Sequence, residues 1–311
     1  MSRSKEKIRS MFDSIAPGYD SLNHILSLGF DRGWRRRALK EILQEGNGEA
    51  ETGGAYRAAD AGLEAKGTTH RGATQQGTTG TARHATTQDG SFRILDLACG
   101  TGDFSIAIAR ALRRQRTGLA PAPAGTKVPD FVPGTTGTDP AATKPNPAAP
   151  PVTGLDISEG MLAVMRHKVS RMGLQELIEC SCGDGTALPF PDGSFDRVTI
   201  GFGIRNFDDR EQALREILRV LRPGGRLIIL ELSVPEIPVV RGLYRWYFTR
   251  ILPAVGGLLS GDKAAYRYLP ASVLAFPGKE EWMGTMRNAG FRRVSHKAFT
   301  LGICRMYVGE K

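Results

Sequence analysis

Short apolar runs alternate with amphipathic stretches along most of this chain. Residues 93–97, 152–156, 178–182 and 195–201 read as strands, and 226–232 is a further apolar strand set off by the turn Pro223-Gly224-Gly225. Between them, 103–114, 160–172 and 209–221 repeat apolar residues at the spacing of a helix face. Asp156-Ile157-Ser158 supplies an N-cap for the second of these. Strand then helix, repeated, predicts a parallel sheet. Residues 291–295 and 304–308 read as two more strands that pair as an antiparallel edge, and helical segments 5–14 and 31–44 precede the first strand. The expected fold is α/β, with a mostly parallel seven-stranded sheet, an antiparallel edge strand and helices on both faces.

Two stretches break the pattern. Residues 46–91 are rich in Gly, Thr, Ala and Gln, with Tyr56 and Leu63 nearly the only large apolar side chains. Residues 116–151 hold half of the 18 prolines, among Ala, Thr and Gly. Neither has enough apolar surface to offset the entropy of ordering, so both are expected to be disordered inserts. Without them roughly 230 residues remain, the size of one α/β domain. The inserts therefore interrupt a single domain, 1–311. Within it, 1–45 is expected to be an N-terminal helical lid, and 234–285 a helical region near substrate and membrane.

Composition narrows the class. With 41% hydrophobic and 24% charged residues the chain is globular rather than disordered, collagenous or coiled-coil overall. No apolar run approaches the length of a membrane span, and the N-terminal residues have no signal-peptide centre, so a cytoplasmic protein is expected. The four cysteines lack paired metal spacing; they read as reduced thiols, with no metal site. Net charge is +10, and from Val234 onward 12 Lys/Arg stand against 5 Asp/Glu, which favours an anionic partner or surface. Arg35-Arg36-Arg37 motivates an alternative of another class, a basic nucleic-acid-binding or -modifying protein. That alternative finds no RNA-binding aromatic motif, helix-turn-helix or zinc module to support it, and no nucleic-acid partner is expected.

The chemistry concentrates in Ile94-Leu-Asp-Leu-Ala-Cys-Gly-Thr-Gly-Asp103. A strand ends here in a Gly100-x-Gly102 turn that opens a helix, at the carboxyl end of the first strand, where open α/β sheets bind ligands. A dinucleotide site would carry a third glycine where this chain has Ser105. Asp96 and Asp103 flank the turn instead, and carboxylates suit a cationic amino-acid end better than a phosphate. Asp156, at the end of the next strand, is placed to accept both ribose hydroxyls of an adenosine. Removing the Pro-rich insert restores its usual spacing of roughly 20 residues from the glycines. After the third strand, Asp184 in Gly183-Asp184-Gly185-Thr186 can accept from an adenine amino group. Three strand ends thus converge on one ligand, S-adenosylmethionine.

Further blocks carry a resemblance. Tyr19-Asp20-Ser-Leu-Asn23-His24-Ile-Leu-Ser27 with Arg32-Gly-Trp34, Phe202-Gly-Ile-Arg205-Asn206, Arg219-Val-Leu-Arg-Pro-Gly-Gly-Arg-Leu-Ile-Ile-Leu-Glu231-Leu-Ser233, Tyr266-Arg-Tyr-Leu-Pro-Ala-Ser272 and Phe276-Pro277 resemble the ubiquinone/menaquinone biosynthesis C-methyltransferase family. The likeness spans nearly everything but the inserts. Departures are Leu22, Asp31 and Arg222, where Met, His and Lys are common. The resemblance implies a Rossmann-like class I S-adenosylmethionine-dependent methyltransferase. It places cofactor contacts on Thr101, Asp156, Asp184 and Gly185, and on Gly201, beside Gly100, Gly102 and Asp96 of the turn. It implies as substrate a polyprenylated quinol methylated on a ring carbon: demethylmenaquinol first, with 2-methoxy-6-polyprenyl-1,4-benzoquinol of ubiquinone biosynthesis, or both, as the alternative.

Only the reduced ring is nucleophilic enough, because a deprotonated quinol oxygen feeds electron density to the neighbouring carbon. Arg205 and Asn206 are expected to orient or stabilise that oxygen, with Tyr19 and Asp20 of the lid next and His24 as a candidate base. Residues 237–260 set Arg241, Arg245 and Arg250 among aromatic and aliphatic side chains. That composition is expected for a peripheral contact with an anionic inner membrane face, or for a lid helix packed on the core.

Overall fold

Strands β1 (Ile94–Leu97), β2 (Val152–Asp156), β3 (Ile178–Cys182), β4 (Phe195–Gly201), β5 (Leu221–Leu232), β6 (Arg292–Phe299) and β7 (Cys304–Glu310) form one sheet in the order β3-β2-β1-β4-β5-β7-β6. β1 to β5 pair in parallel, while β7 runs antiparallel to both β5 and β6. The last two strands therefore close the sheet as expected, with the reversed strand one place in from the edge. The structure is a computed structural model and describes residues 3–20, 27, 29–44, 93–117, 150–251 and 263–311. Insert residues 46–91, nearly all of 116–151, His24 and residues 252–260 lie outside the described residues. All of the described residues except Gln44 belong to one compact unit.

Side-chain alternation along the strands divides the core in two. Ile94, Val152, Ile228, Leu230, Met306 and Val308 face one side, where α2 (Phe30–Leu43), α3 (Asp103–Thr117) and α4 (Glu159–Arg171) pack on them. Leu95, Leu97, Leu155, Ile229 and Tyr307 face the other, toward α5 (Arg210–Val220) and α8 (Lys279–Asn288). Strands covered on both faces must be apolar at successive positions, and all of β1 is buried. α1 (Arg3–Ile15), α6 (Pro238–Trp246) and α7 (Lys263–Leu274) lie outside these layers.

β5 begins five residues earlier than the sequence suggests. Leu221 pairs with Phe195 before a register shift, and the Pro-Gly-Gly turn is drawn into the ladder by Lys311. Lys311 accepts from Gly224 N at 3.2 Å and donates to Gly225 O at 2.9 Å. β6 likewise runs past Ser295, because a bulge between Arg292 and Ser295 lets pairing resume as far as Phe299.

Candidate active site

The order of the sheet reverses between β1 and β4, so the loops leaving those strands diverge and open a crevice at their carboxyl ends. The turn after β1 is fixed from three sides. Gly102 N donates to Cys99 O at 3.0 Å, Cys99 N to Leu155 O at 3.2 Å, and Gly100 N to Asp156 Oδ2 at 2.8 Å. Gly102 has φ +82°, and a Cβ there would lie 2.4 Å from Met165, so both conformation and space require glycine.

Asp96 lies beneath the turn rather than on a cavity wall. It is fully buried and accepts from Ser105 Oγ at 2.5 Å and Thr199 Oγ1 at 2.9 Å. Ser105, where a dinucleotide site has glycine, is thus a buttress for this carboxylate. Burial pushes the Asp96 pKa from 3.8 up to about 6. The folded chain therefore holds this proton more tightly than the unfolded one. The stability it contributes is full below about pH 4 and is lost as pH rises through about 6. Denaturant unfolding between those values should show this decline in the wild type and a shallower one in Asp96→Asn; equal slopes would refute it.

Asp156 and Asp184 line a narrow cleft of about 90 Å³ with Gly100, Gly185 and the apolar Leu97, Leu155 and Phe207. Asp156 Oδ1 accepts from Ser158 N at 2.9 Å, and Oδ2 from Gly100 N. Each oxygen retains a lone pair for a hydroxyl. Burial raises its pKa. Asp184 takes Lys5 Nζ on Oδ2 at 2.7 Å, with Thr186 N and Oγ1 on Oδ1 at 2.9 and 2.8 Å. Burial works against its charge, but Lys5 and Thr186 prevail and its pKa falls. α1 covers this cleft with Lys5, Ile8 and Phe12. It is anchored by Asp13, whose Oδ1 accepts from Ser158 Oγ at 2.5 Å and Gly160 N at 3.0 Å at the start of α4.

A larger cavity of about 410 Å³ adjoins the cleft. Trp34, Phe104, Phe202, Leu243, Tyr244 and Phe248 make it largely apolar. Tyr19, Ala98, Gly100, Gly201 and Phe202 border both spaces. At this seam Ala98 and Phe202 adopt positive φ, +55° and +62°, a conformation that costs non-glycine residues energy and clusters at functional sites.

The short turn Ile204–Asn206 presents Arg205 to the large cavity and Asn206 to the cleft. Arg205 Nη1 pairs with Glu231 Oε1 at 2.7 Å and also reaches Phe202 O, while Nε donates to Ser272 Oγ at 3.3 Å. Burial opposes the guanidinium charge, but Glu231 outweighs it and the pKa rises. Asn206 Oδ1 accepts from Tyr268 Oη at 3.0 Å.

An alternating ionic chain ties the N-terminal elements to the turn. Arg35 Nη1 joins Asp31 at 2.9 Å and Asp103 at 3.2 Å. Lys168 Nζ joins Asp103 at 2.7 Å and also Asp20, which accepts from Thr101 Oγ1 at 2.5 Å. Asp20 thus acts on Thr101 and Lys168 and lines neither cavity. Arg35 is taken up by this chain, and Arg37 lies 5.3 Å over the Phe299 ring, so the basic run is partly spent inside the fold.

Of the residues expected from sequence, Tyr19, Gly100, Thr101, Asp156, Asp184, Gly185, Gly201, Arg205 and Asn206 come together on the two walls; Asp96 and Gly102 lie behind them. Sequence reading missed Glu231, Lys168 and Arg35. Lys168 carries a signal, since it stands in the buried stripe Met161, Met165, Lys168 of α4. Glu231 does as well, as a lone charge in the apolar run of β5.

The arrangement fits S-adenosylmethionine: acceptors at two strand ends, a glycine turn beside them, and an acid–base chain where an amino-acid end would lie. Comparison with known proteins agrees. The chain matches the ubiE/COQ5 methyltransferase family over residues 1–60 and 75–311. It is 38% identical over 306 residues to the ubiquinone/menaquinone biosynthesis C-methyltransferase UbiE of Geobacter sulfurreducens, covering 98% of this chain and 89% of that protein. It is 36% identical to the demethylmenaquinone methyltransferase of Thermus thermophilus, covering 97% of this chain and 100% of that protein. A chain of a solved complex between the Haloferax volcanii Trm112 methyltransferase activator and a methyltransferase shares the fold, with TM-score 0.51, 15% identity and 96% of each chain covered. With its cofactor cleft and family match in agreement, the chain belongs to the ubiE/COQ5 methyltransferase family, whose members take S-adenosylmethionine as methyl donor.

Proposed function

We propose that this chain methylates a ring carbon of demethylmenaquinol. The observation that carries the reading is the seam: an acid-lined cleft suited to an adenosine meets an apolar cavity suited to a prenylated ring across Tyr19, Gly100 and Gly201. Bound in the cleft, S-adenosylmethionine supplies a methyl group on a positively charged sulfur. Asp156 holds the ribose hydroxyls, and Asp184 with Gly185 holds the adenine edge. Thr101, Asp103 and Arg35 meet the amino-acid end, Arg35 through the nitrogens its ion pairs leave unused.

Arg205, held by Glu231, stabilises the quinol oxygen as it loses its proton, and Asn206 aligns the ring from the cleft side. Electron density from that oxygen reaches the adjacent carbon, a carbon–carbon bond forms to the methyl as the carbon–sulfur bond breaks, the ring proton then leaves, and the oxygen takes a proton back. One proton is released overall. Positioning of the two partners supplies much of the rate.

Among the described residues no helix is long and apolar enough to cross a membrane. α6 nevertheless exposes Val239 (81%), Leu243 (66%) and Trp246 (55%) beside exposed Arg241 and Arg245. Leu243 and Trp246 also line the large cavity, so this rim is placed to rest on an anionic lipid surface while a prenyl tail passes inward. Tyr244 and Phe248 of the same stretch, each 5% exposed, line the same cavity from its buried side.

The test is transfer of labelled methyl to reduced demethylmenaquinol carried in anionic or zwitterionic vesicles, with the methoxy-benzoquinol in parallel and oxidised quinones as controls. Label in demethylmenaquinol alone, faster on anionic vesicles, is expected. Label only in the benzoquinol would move the substrate to ubiquinone biosynthesis, equal rates on both vesicles would remove the lipid contact, and no label in any quinol would refute the reading.

A further inference from the structure

Tyr244 sits on the inner face of α6, packed against Phe248 with ring centroids 4.1 Å apart and against Val273. Phe248 shows what the site would accept if only packing mattered: an apolar ring. Yet Tyr244 carries a hydroxyl that is buried and has no hydrogen-bond partner among the described residues. Buried polar groups are almost always paired, and an orphan in a native fold calls for a physical reason. Among the described residues, this hydroxyl is the one buried side-chain polar atom without a partner that belongs to a residue lining either cavity. Arg205, paired with Glu231, lines the same cavity as Tyr244.

Resting on the proposed quinol reaction, we infer that Tyr244 is a catalytic residue whose hydroxyl donates a hydrogen bond to the quinol oxygen that Arg205 also faces. The reacting oxygen would be held between a guanidinium and a phenol across an apolar cavity, with the ring carbon directed to the seam. A phenol serves here as a donor only. Burial raises its pKa well above the ordinary value for tyrosine, so it keeps its proton while the quinol gives one up. The bond strengthens as charge grows on the substrate oxygen, and so it favours the transition state over the neutral quinol. Because α6 also forms the rim of the cavity, the same helix would register that a ring has arrived.

Tyr244→Phe separates this role from packing. The variant keeps the ring and removes an oxygen that has no partner in the protein, so the melting temperature should be unchanged or higher. Methyl transfer to demethylmenaquinol should fall by about 10- to 100-fold in kcat/KM, the range of one hydrogen bond to a charged acceptor. Affinity for S-adenosylhomocysteine should not change, since Tyr244 does not line the cleft. Quinol binding is read separately by quenching of Trp34 and Trp246, which line the same cavity. Wild-type kcat/KM in the variant, with active wild-type enzyme, would overturn the assignment and leave the quinol reaction standing. A marked fall in melting temperature would also overturn it, since it would show the hydroxyl to be bonded within the fold. Neither quenching nor methyl transfer in the wild type would overturn both.

Discussion

Glu231→Ala is expected to cost about 3–5 kcal/mol of folding stability, because it leaves the Arg205 guanidinium buried without its counter-charge. The Arg205 side chain is 7% exposed and that of Glu231 is 0% exposed, so water cannot substitute for the lost partner. Glu231 also accepts from Arg205 N at 3.2 Å and Leu232 N at 2.8 Å, and both donors would be stranded with it. Methyl transfer should disappear as the turn Ile204–Asn206 loses its anchor. Stability and chemistry can be told apart by replacing both partners. Arg205→Met with Glu231→Leu removes the buried charges together and should recover most of the stability, while transfer stays lost. Denaturant unfolding measures the first and labelled methyl transfer the second. A single Glu231→Ala variant with wild-type stability, or a double variant with near-normal turnover, would refute the role given to this pair.

Asp156→Ala should weaken S-adenosylhomocysteine binding by roughly 100- to 10,000-fold, as read by calorimetry. A carboxylate accepting from two hydroxyls gives up about 1.5–3 kcal/mol for each bond. The loss compounds locally, since Gly100 N and Ser158 N would both lose their acceptor and with it the shape of the glycine turn. Asp184→Ala should cost less, because Lys5 and Thr186 already hold that carboxylate and a ligand must share it. Equal losses at the two positions, or none at Asp156, would mean that the ribose lies elsewhere.

Much of this was legible in the chain because the relevant physics is local. The strand-end acids Asp156 and Asp184 and the Gly100–Gly102 turn follow from short-range rules: where a strand stops, which residue tolerates positive φ, which side chain can accept from a hydroxyl. What escaped is pairing across long sequence separation. Arg205 could be singled out, but its partner lies 26 residues away on another strand. Lys168 meets Asp103 from 65 residues away. In the sequence Ser105 reads as a missing glycine, and only the fold brings it beneath the turn as the donor to Asp96. The hydroxyl of Tyr244 gave no sequence signal at all: an aromatic among aromatics on an amphipathic helix reads as packing, and only burial without a partner sets it apart.

The covers of the two cavities are separate elements. α1 closes the cofactor cleft, pinned by Lys5 and Asp13, whereas α6 and α2 line the apolar cavity, and among the described residues the two spaces share lining only at the seam. Under the proposed reaction each occupant leaves past its own cover, the cofactor beside α1 and the ring beside α6. For that reaction the layout requires no compulsory order of exchange: a spent cofactor could be replaced while a ring stays seated, and the reverse. The kinetics it permits are those of a ternary complex assembled from either side.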